Sequence, residues 1–441
     1  MMHNLNRFFY LALLFAGSLS AFSSNWGQWR GPNFNGSTDA GSLPSKWSKT
    51  ENVSWSTALP GPSAASPIVW GDHVFISSAN PETDSLHALC YDRNSGKLLW
   101  QHQVGNRHRR DDRSDFASNS PATDGEVVVF FYGNGLMFAY DFDGKQLWNR
   151  NIEEDFGRLA YGWTPSTSPL LHEGQLILQI LQRDVPARGH GEPGQNNDSY
   201  LLALNSENGD KLWRTIRPSK AKAESLEAFT SPVPHEHNGR KEILVAGGDA
   251  ISGHDPNNGK ELWRWGTWNP NRIGHWRLVP SPVAGDGVIL ACAPKRDPIY
   301  AVKAGGKGRL RDSDLAWVSR NERDITSDVP TPAYYDGDFF ILSDVRRFLS
   351  RVEPKSGVVK WSIETPGRDK FEASPLAADG KLYLMNFSSD VVVVDAENGK
   401  ILNEIAMGDQ GEQYSRASIA ASNGQLFIRT NKTLYCIGDR G

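Results

Sequence analysis

Cysteine is scarce. The 441 residues hold three, Cys90, Cys292 and Cys436, and no two are adjacent. An odd number so widely spaced excludes a disulfide framework and the paired-thiolate motifs of structural zinc. A charge excess of one sign is missing as well: the formal net charge is -4 and the isoelectric point is near 6.3. Nothing overall therefore draws the chain to nucleic acid or to an anionic membrane surface. Long apolar runs are missing except at residues 8–15, where Arg7 precedes the run and Ala16, Gly17, Ser18, Ser20 and Ala21 follow it. That run is short for a membrane span and has the order of a secretory signal. Residues 1–23 are expected to be a signal peptide on a chain bound for the periplasm or the medium, with no stable membrane insertion. No cysteine stands at the expected cleavage point to accept a lipid. Phosphate-cradling glycine loops, a nucleophile elbow and triad spacings are also missing, so no catalytic residue is assigned. His235-Glu236-His237 is the one metal-like pattern; it is expected in a turn and lacks a third ligand, so no metal site is assigned either.

What is present is repetition. A Ser-Pro or similar dipeptide opens successive units at Ser66, Ser120, Ser168, Ser231, Ser281, Thr331, Ser374 and Ser418, at intervals of 54, 48, 63, 50, 50, 43 and 44 residues. Each unit carries short apolar runs between turn residues, which read as four strands. Units of this size, each too small to bury its own faces, are the mark of a β-propeller. A glycine followed four residues later by tryptophan closes many of them: Gly96 to Trp100, Gly144 to Trp148, Gly209 to Trp213, Gly259 to Trp263 and Gly357 to Trp361. The glycine suits a tight turn with positive φ, and the large ring suits the gap between neighbouring blades.

The two ends complement each other. Val53-Ser54-Trp55 looks like an outer strand with no blade before it, and the eighth unit ends without an outer strand. The expected fold is thus all-β, an eight-bladed propeller of four-stranded antiparallel blades over residues 53–441, its ring closed by the N-terminal strand. Residues 24–52 form an irregular arm held down by Trp26, Trp29 and Trp47. With strands A to D in each blade, the short AB and CD turns share one face, and the long BC loops and DA connections share the other. Long loops on a rigid scaffold carry function.

The candidate ligand-binding residues follow from that face. Arg107, Arg109, Arg110 and Arg113 lie in the first DA connection, where Asp111 and Asp112 could neutralise them; Arg346, Arg347, Arg368 and Arg416 come from other blades. Arginine forks suit carboxylate or phosphate. Trp163, Trp276 with Arg277, and Phe371 add rings able to stack on a sugar or a flat ligand. A protein partner, or an anionic or saccharide ligand, is expected there.

The repeats, with Leu86-His87-Ala88-Leu89-Cys90-Tyr91-Asp92 and the recurring Gly-to-Trp ending, resemble the pyrroloquinoline-quinone-like propeller repeats over about residues 53–437. The resemblance implies two alternatives. One is a non-enzymatic scaffold similar to the propeller of the outer-membrane barrel-assembly machinery. The other is a quinoprotein dehydrogenase, holding pyrroloquinoline quinone and calcium beneath a pair of adjacent cysteines that this chain does not have, or a sugar-active enzyme using the axial funnel. The first is the expectation, with no cofactor.

Overall fold

The computed structural model describes residues 24–106, 109–409 and 411–440. The expected signal segment and Arg107 lie outside them. Eight sheets of four antiparallel strands, one of them with an added fifth strand, follow one another around an axis. Blades I to VII span residues 68–106, 122–151, 170–216, 233–265, 283–318, 333–364 and 376–406. Blade VIII takes three strands from residues 420–437 and its outer strand, Val53–Ala58, from the other end of the chain. That strand runs antiparallel to Thr433–Ile437, with Ser56 opposite Tyr435 and Thr57 opposite Leu434. A closed ring leaves no blade face uncovered.

Two devices repeated in the sequence join the blades. At the inner edge, the backbone N–H of each opening Ser or Thr donates to the hydroxyl of the next. Ser66 gives to Ser120 (2.9 Å), Ser120 to Ser168, Ser168 to Ser231, Ser231 to Ser281, Ser281 to Thr331, Thr331 to Ser374, Ser374 to Ser418, and Ser418 back to Ser66 (2.8 Å). Proline after all but one of these residues suits the innermost strand, whose free edge offers an N–H no ladder partner. At the outer edge, each indole donates to a carbonyl in the CD turn of the next blade: Trp55 to Arg93, Trp100 to Phe142, Trp148 to Ser206, Trp213 to Pro256, Trp317 to Pro354 and Trp361 to Ala396. The turn glycine has a second duty here. At Gly144, φ is 86° and an added Cβ would lie 2.6 Å from Cγ of Trp100. Glycine thus accepts both the left-handed turn and the ring resting on it.

The junction of blades IV and V departs from this rule. Trp263 donates to Glu242 within its own blade (2.8 Å). A two-residue strand, Gly308–Arg309, lies parallel to the outer strand of blade IV and makes it a five-stranded sheet. Residues 304–314, inserted before the outer strand of blade V, replace the usual turn. His235 and His237 are in a strand, Val233–His237, rather than a turn, with their rings 6.3 Å apart. Among the described residues no group of three or more His, Cys, Asp or Glu is placed to hold a metal. The three cysteines are free, buried and packed into three different apolar clusters between blades.

The arm crosses the disc. Trp26 bridges to Val69 of blade I, Gln28 to Ala122 of blade II and by its side chain to Leu171 of blade III. Two residues on, Arg30 donates to the carbonyls of Pro332 and Pro375 in blades VI and VII. Ser37 then bridges to Ala377 of blade VII, and Trp47 donates to Sδ of Met407. The step from blade III to blade VI is made at Trp29, which therefore sits at the axis. Burial brings the Arg30 guanidinium down to about 9, still charged at neutral pH and held by carbonyl oxygens.

Candidate functional site

A cavity of about 200 Å³ occupies the axis, with Trp29 of the arm among its lining residues. Six hydroxyls of the inner ring line it, those of Ser120, Ser168, Ser231, Thr331, Ser374 and Ser418. Above them stand residues of the long connections: Arg113, Trp163, Phe229, Arg277, Asp328, Lys370, Glu372 and Arg416, with Lys295 and Asp344 from the BC loops of blades V and VI. The cavity is a funnel that receives the long-loop face, with the arm across its other end.

Of the sequence candidates, Arg113, Trp163, Arg277 and Arg416 come together in this funnel. The rest are placed elsewhere. Arg109 donates to His190 Nε2 (2.7 Å), a half-buried histidine of the long loop of blade III. Arg110 is exposed and pairs by its backbone with Asp115. Trp276 is half-buried beside Ser225, to whose Oγ its backbone N–H donates. The backbone of Arg346 donates to Ser343, Arg347 binds the carbonyls of Thr365 and Gly367, and Arg368 is exposed. Phe371 is buried in the apolar cluster of blades VI and VII. Lys295, Asp328, Asp344, Lys370 and Glu372 escaped sequence reasoning, since a lone lysine or carboxylate in a long loop has no local pattern to mark it; Trp29 was expected to pin the arm, and it also lines the funnel. The hydroxyl ring had a signal, the repeated Ser-Pro, which serves equally well as a mere repeat marker.

The polar groups are partly committed. Asp111 makes no ion pair with the neighbouring arginines among the described residues, although its charge acts on Arg109. It accepts from the backbone N–H groups of Thr164, Arg113 and Ser114, stapling two connections together. Burial raises its carboxyl, but these amides outweigh that and hold it below the ordinary range. Trp163 donates to Glu224, which also binds Arg277 (2.5 Å); the guanidiniums of Arg188 and Arg277 lie 4.5 and 5.3 Å from its ring centre. Glu372 pairs with Arg416 (2.7 Å) and, at 3.9 Å, with Lys370. Asp344, 3% exposed, accepts from the backbone of Asp328. Burial, with the charges of Asp328 and Glu372 nearby, pushes its carboxyl up to about 7. The side chains of Arg113 and Lys295 have no carboxylate partner among the described residues.

A family model described as outer membrane protein assembly factor BamB matches residues 38–183, 85–264 and 247–441. The chain belongs to this family. The chain is similar to two curated proteins of different kinds. An outer membrane protein assembly factor BamB of Burkholderia pseudomallei is 21% identical over 354 residues, 73% of this chain and 81% of that protein. A polyvinylalcohol dehydrogenase of a Pseudomonas species is 27% identical over 182 residues, 39% of this chain. The chain covers a quarter of the dehydrogenase's length. Solved structures of both kinds share the fold: a europium-containing methanol dehydrogenase (TM-score 0.66, 11% identity, covering 94% of this chain and 98% of that one) and BamB from Moraxella catarrhalis (TM-score 0.58, 12% identity, 87% and 98%).

The dehydrogenase resemblance implies a quinone with calcium in this funnel. Calcium takes about six to eight oxygen ligands, carboxylates foremost. Here Glu372 is held by cations, Asp328 accepts from the backbone of Lys295, and Asp344 accepts from the backbone of Asp328. Among the described residues the funnel's carboxylates are already engaged by cations and amides, a donor set that does not fit calcium.

Proposed function

We propose that this propeller is an exported binding module that receives an anionic ligand, or an acidic segment of a protein partner, in the axial funnel of its long-loop face. One observation carries the reading. Arg113 and Lys295 reach the same cavity from nearly opposite sides of the ring, and neither side chain is neutralised by a carboxylate among the described residues. Aromatic surface from Trp29, Trp163 and Phe229 flanks them. A groove with spare cations and rings favours an acceptor-rich partner. The family resemblance to assembly factors supports a non-enzymatic role.

Exchanging the charge at both positions, Arg113→Glu with Lys295→Glu, is expected to abolish retention of acidic ligands on the immobilised protein. Lys241→Glu on the short-loop face should leave retention intact. Equal loss from both variants would refute a funnel site. Denaturing the purified protein and assaying the supernatant for quinone tests the enzymatic alternative: one equivalent released per chain would overturn the non-enzymatic reading.

A further inference from the structure

The inner ring of hydroxyls does more than join blades. Each Oγ accepts one backbone N–H, and its own O–H proton has no acceptor among the described residues. Six of these groups face the funnel from side chains that are themselves buried, Thr331 at 1% and Ser231 at 7% exposure. The arrangement is a set of convergent donors without acceptors, fixed in position by the closed ring. It lies below the cations of Arg113, Lys295 and Lys370 and above the Trp29 floor. Each ring oxygen has spent one of its two lone pairs on an amide and still carries its proton, so an acceptor-rich group gains more here than a donor-rich one. A group that only accepts satisfies it.

The geometry points to the hydroxyl ring as an oxyanion seat, taking the carboxylate or phosphate end of whatever enters the funnel. This rests on the funnel reading above and deepens it by naming the group that goes to the bottom. Two sources share that chemistry, a free polycarboxylate or phosphate and the C-terminal carboxylate of a peptide. Both depend on donors that water also satisfies, so the gain comes from several fixed hydrogen bonds to a charged acceptor in a shielded site.

Calorimetric titration at low salt separates these possibilities with four probes: citrate, inorganic phosphate, and a short peptide with a free or an amidated C-terminus. Saturable binding of citrate or phosphate identifies a small oxyanion. Binding of the free-acid peptide but not of its amide identifies a chain terminus. In either case Ser231→Ala and Thr331→Val should each weaken the probe about tenfold, while Ser231→Thr and Thr331→Ser, which keep the hydroxyl, should not. Failure of all four probes to bind overturns the inference, as does binding indifferent to both alanine-type variants. If these variants do not fold, the methyl resonance of Thr331 in the wild-type protein decides, since it must shift with the bound probe; no shift overturns the seat. The two readings fail separately. Ring variants without effect, alongside an effective Arg113→Glu and Lys295→Glu exchange, would remove the seat and leave the funnel.

Discussion

At the residue scale, two glycines in similar turns have unequal duties. Gly144 has φ of 86° with the Trp100 ring against it, whereas Gly174 has φ of 73° and nothing within 4 Å of an added Cβ. Gly174→Ala should therefore cost about 1 kcal/mol, the conformational penalty alone. Gly144→Ala adds overpacking and should cost about 3 kcal/mol. Urea unfolding of the two variants checks this, and equal costs would remove the docking role. Asp344 supplies a pH dependence. Its folded carboxyl sits near 7, above the ordinary value, because burial disfavours the charge. The folded protein then binds more protons than the unfolded chain between about pH 4 and 7, so this residue's contribution to stability is present in acid and lost as pH rises through 7. Asp344→Asn should flatten the slope by up to about 1.4 kcal/mol per pH unit in that window. Denaturation midpoints of both proteins at pH 5 and pH 8 measure it; identical differences would mean that Asp344 does not titrate there.

At the scale of the element, the N-terminal strand and the arm before it do separate jobs. The strand Val53–Ala58 completes blade VIII, and the arm closes the funnel and buries Trp26, Leu43 and Trp47. Removing residues 24–49 should lower the melting temperature but preserve one cooperative transition, because the ring stays shut. Removing residues 24–58 opens blade VIII and should abolish cooperativity and promote association through the bared edge. Calorimetry with gel filtration distinguishes the two, and matching behaviour would contradict closure as the main source of cohesion. The inserted strand Gly308–Arg309 has the opposite character, covering an edge that the other blades leave open.

For the whole molecule, eightfold repetition makes departures informative. The junction of blades IV and V replaces the indole-to-carbonyl contact seen at six other junctions with a bond from Trp265 to the Asp312 carboxylate, and it carries buried atoms without partners among the described residues in His235 (Nε2), Arg240 (Nε) and Glu242 (Oε1). Unpaired buried polar atoms cost stability, so this seam should open before the others. Hydrogen exchange read by mass spectrometry should show the inner strands of blade IV exchanging faster than those of blade II. Uniform protection would argue that the seam is as tight as the rest. Burial, with His237 and Arg240 nearby, brings the His235 imidazole down to about 4, so the unfolded chain binds more protons between that value and about 6.5. The seam should accordingly loosen as pH falls through this window.

The repeat spacing, the Gly-to-Trp endings and the complementary ends of the chain are local patterns, and they determined the number of blades, the closing strand and the face that carries the long loops. Periodicity reports such features because every copy solves the same packing problem with the same residues. The funnel was different. Arg113, Trp163, Arg277 and Arg416 were legible as candidates, but the separation of these four from Arg109, Arg346 and Phe371 depended on which connections curve toward the axis. Trp29 as a floor, Asp344 as a buried acid and Lys295 as a spare cation were decided only by the tertiary structure. Each owes its character to neighbours from other blades, and a linear sequence does not place those neighbours beside it.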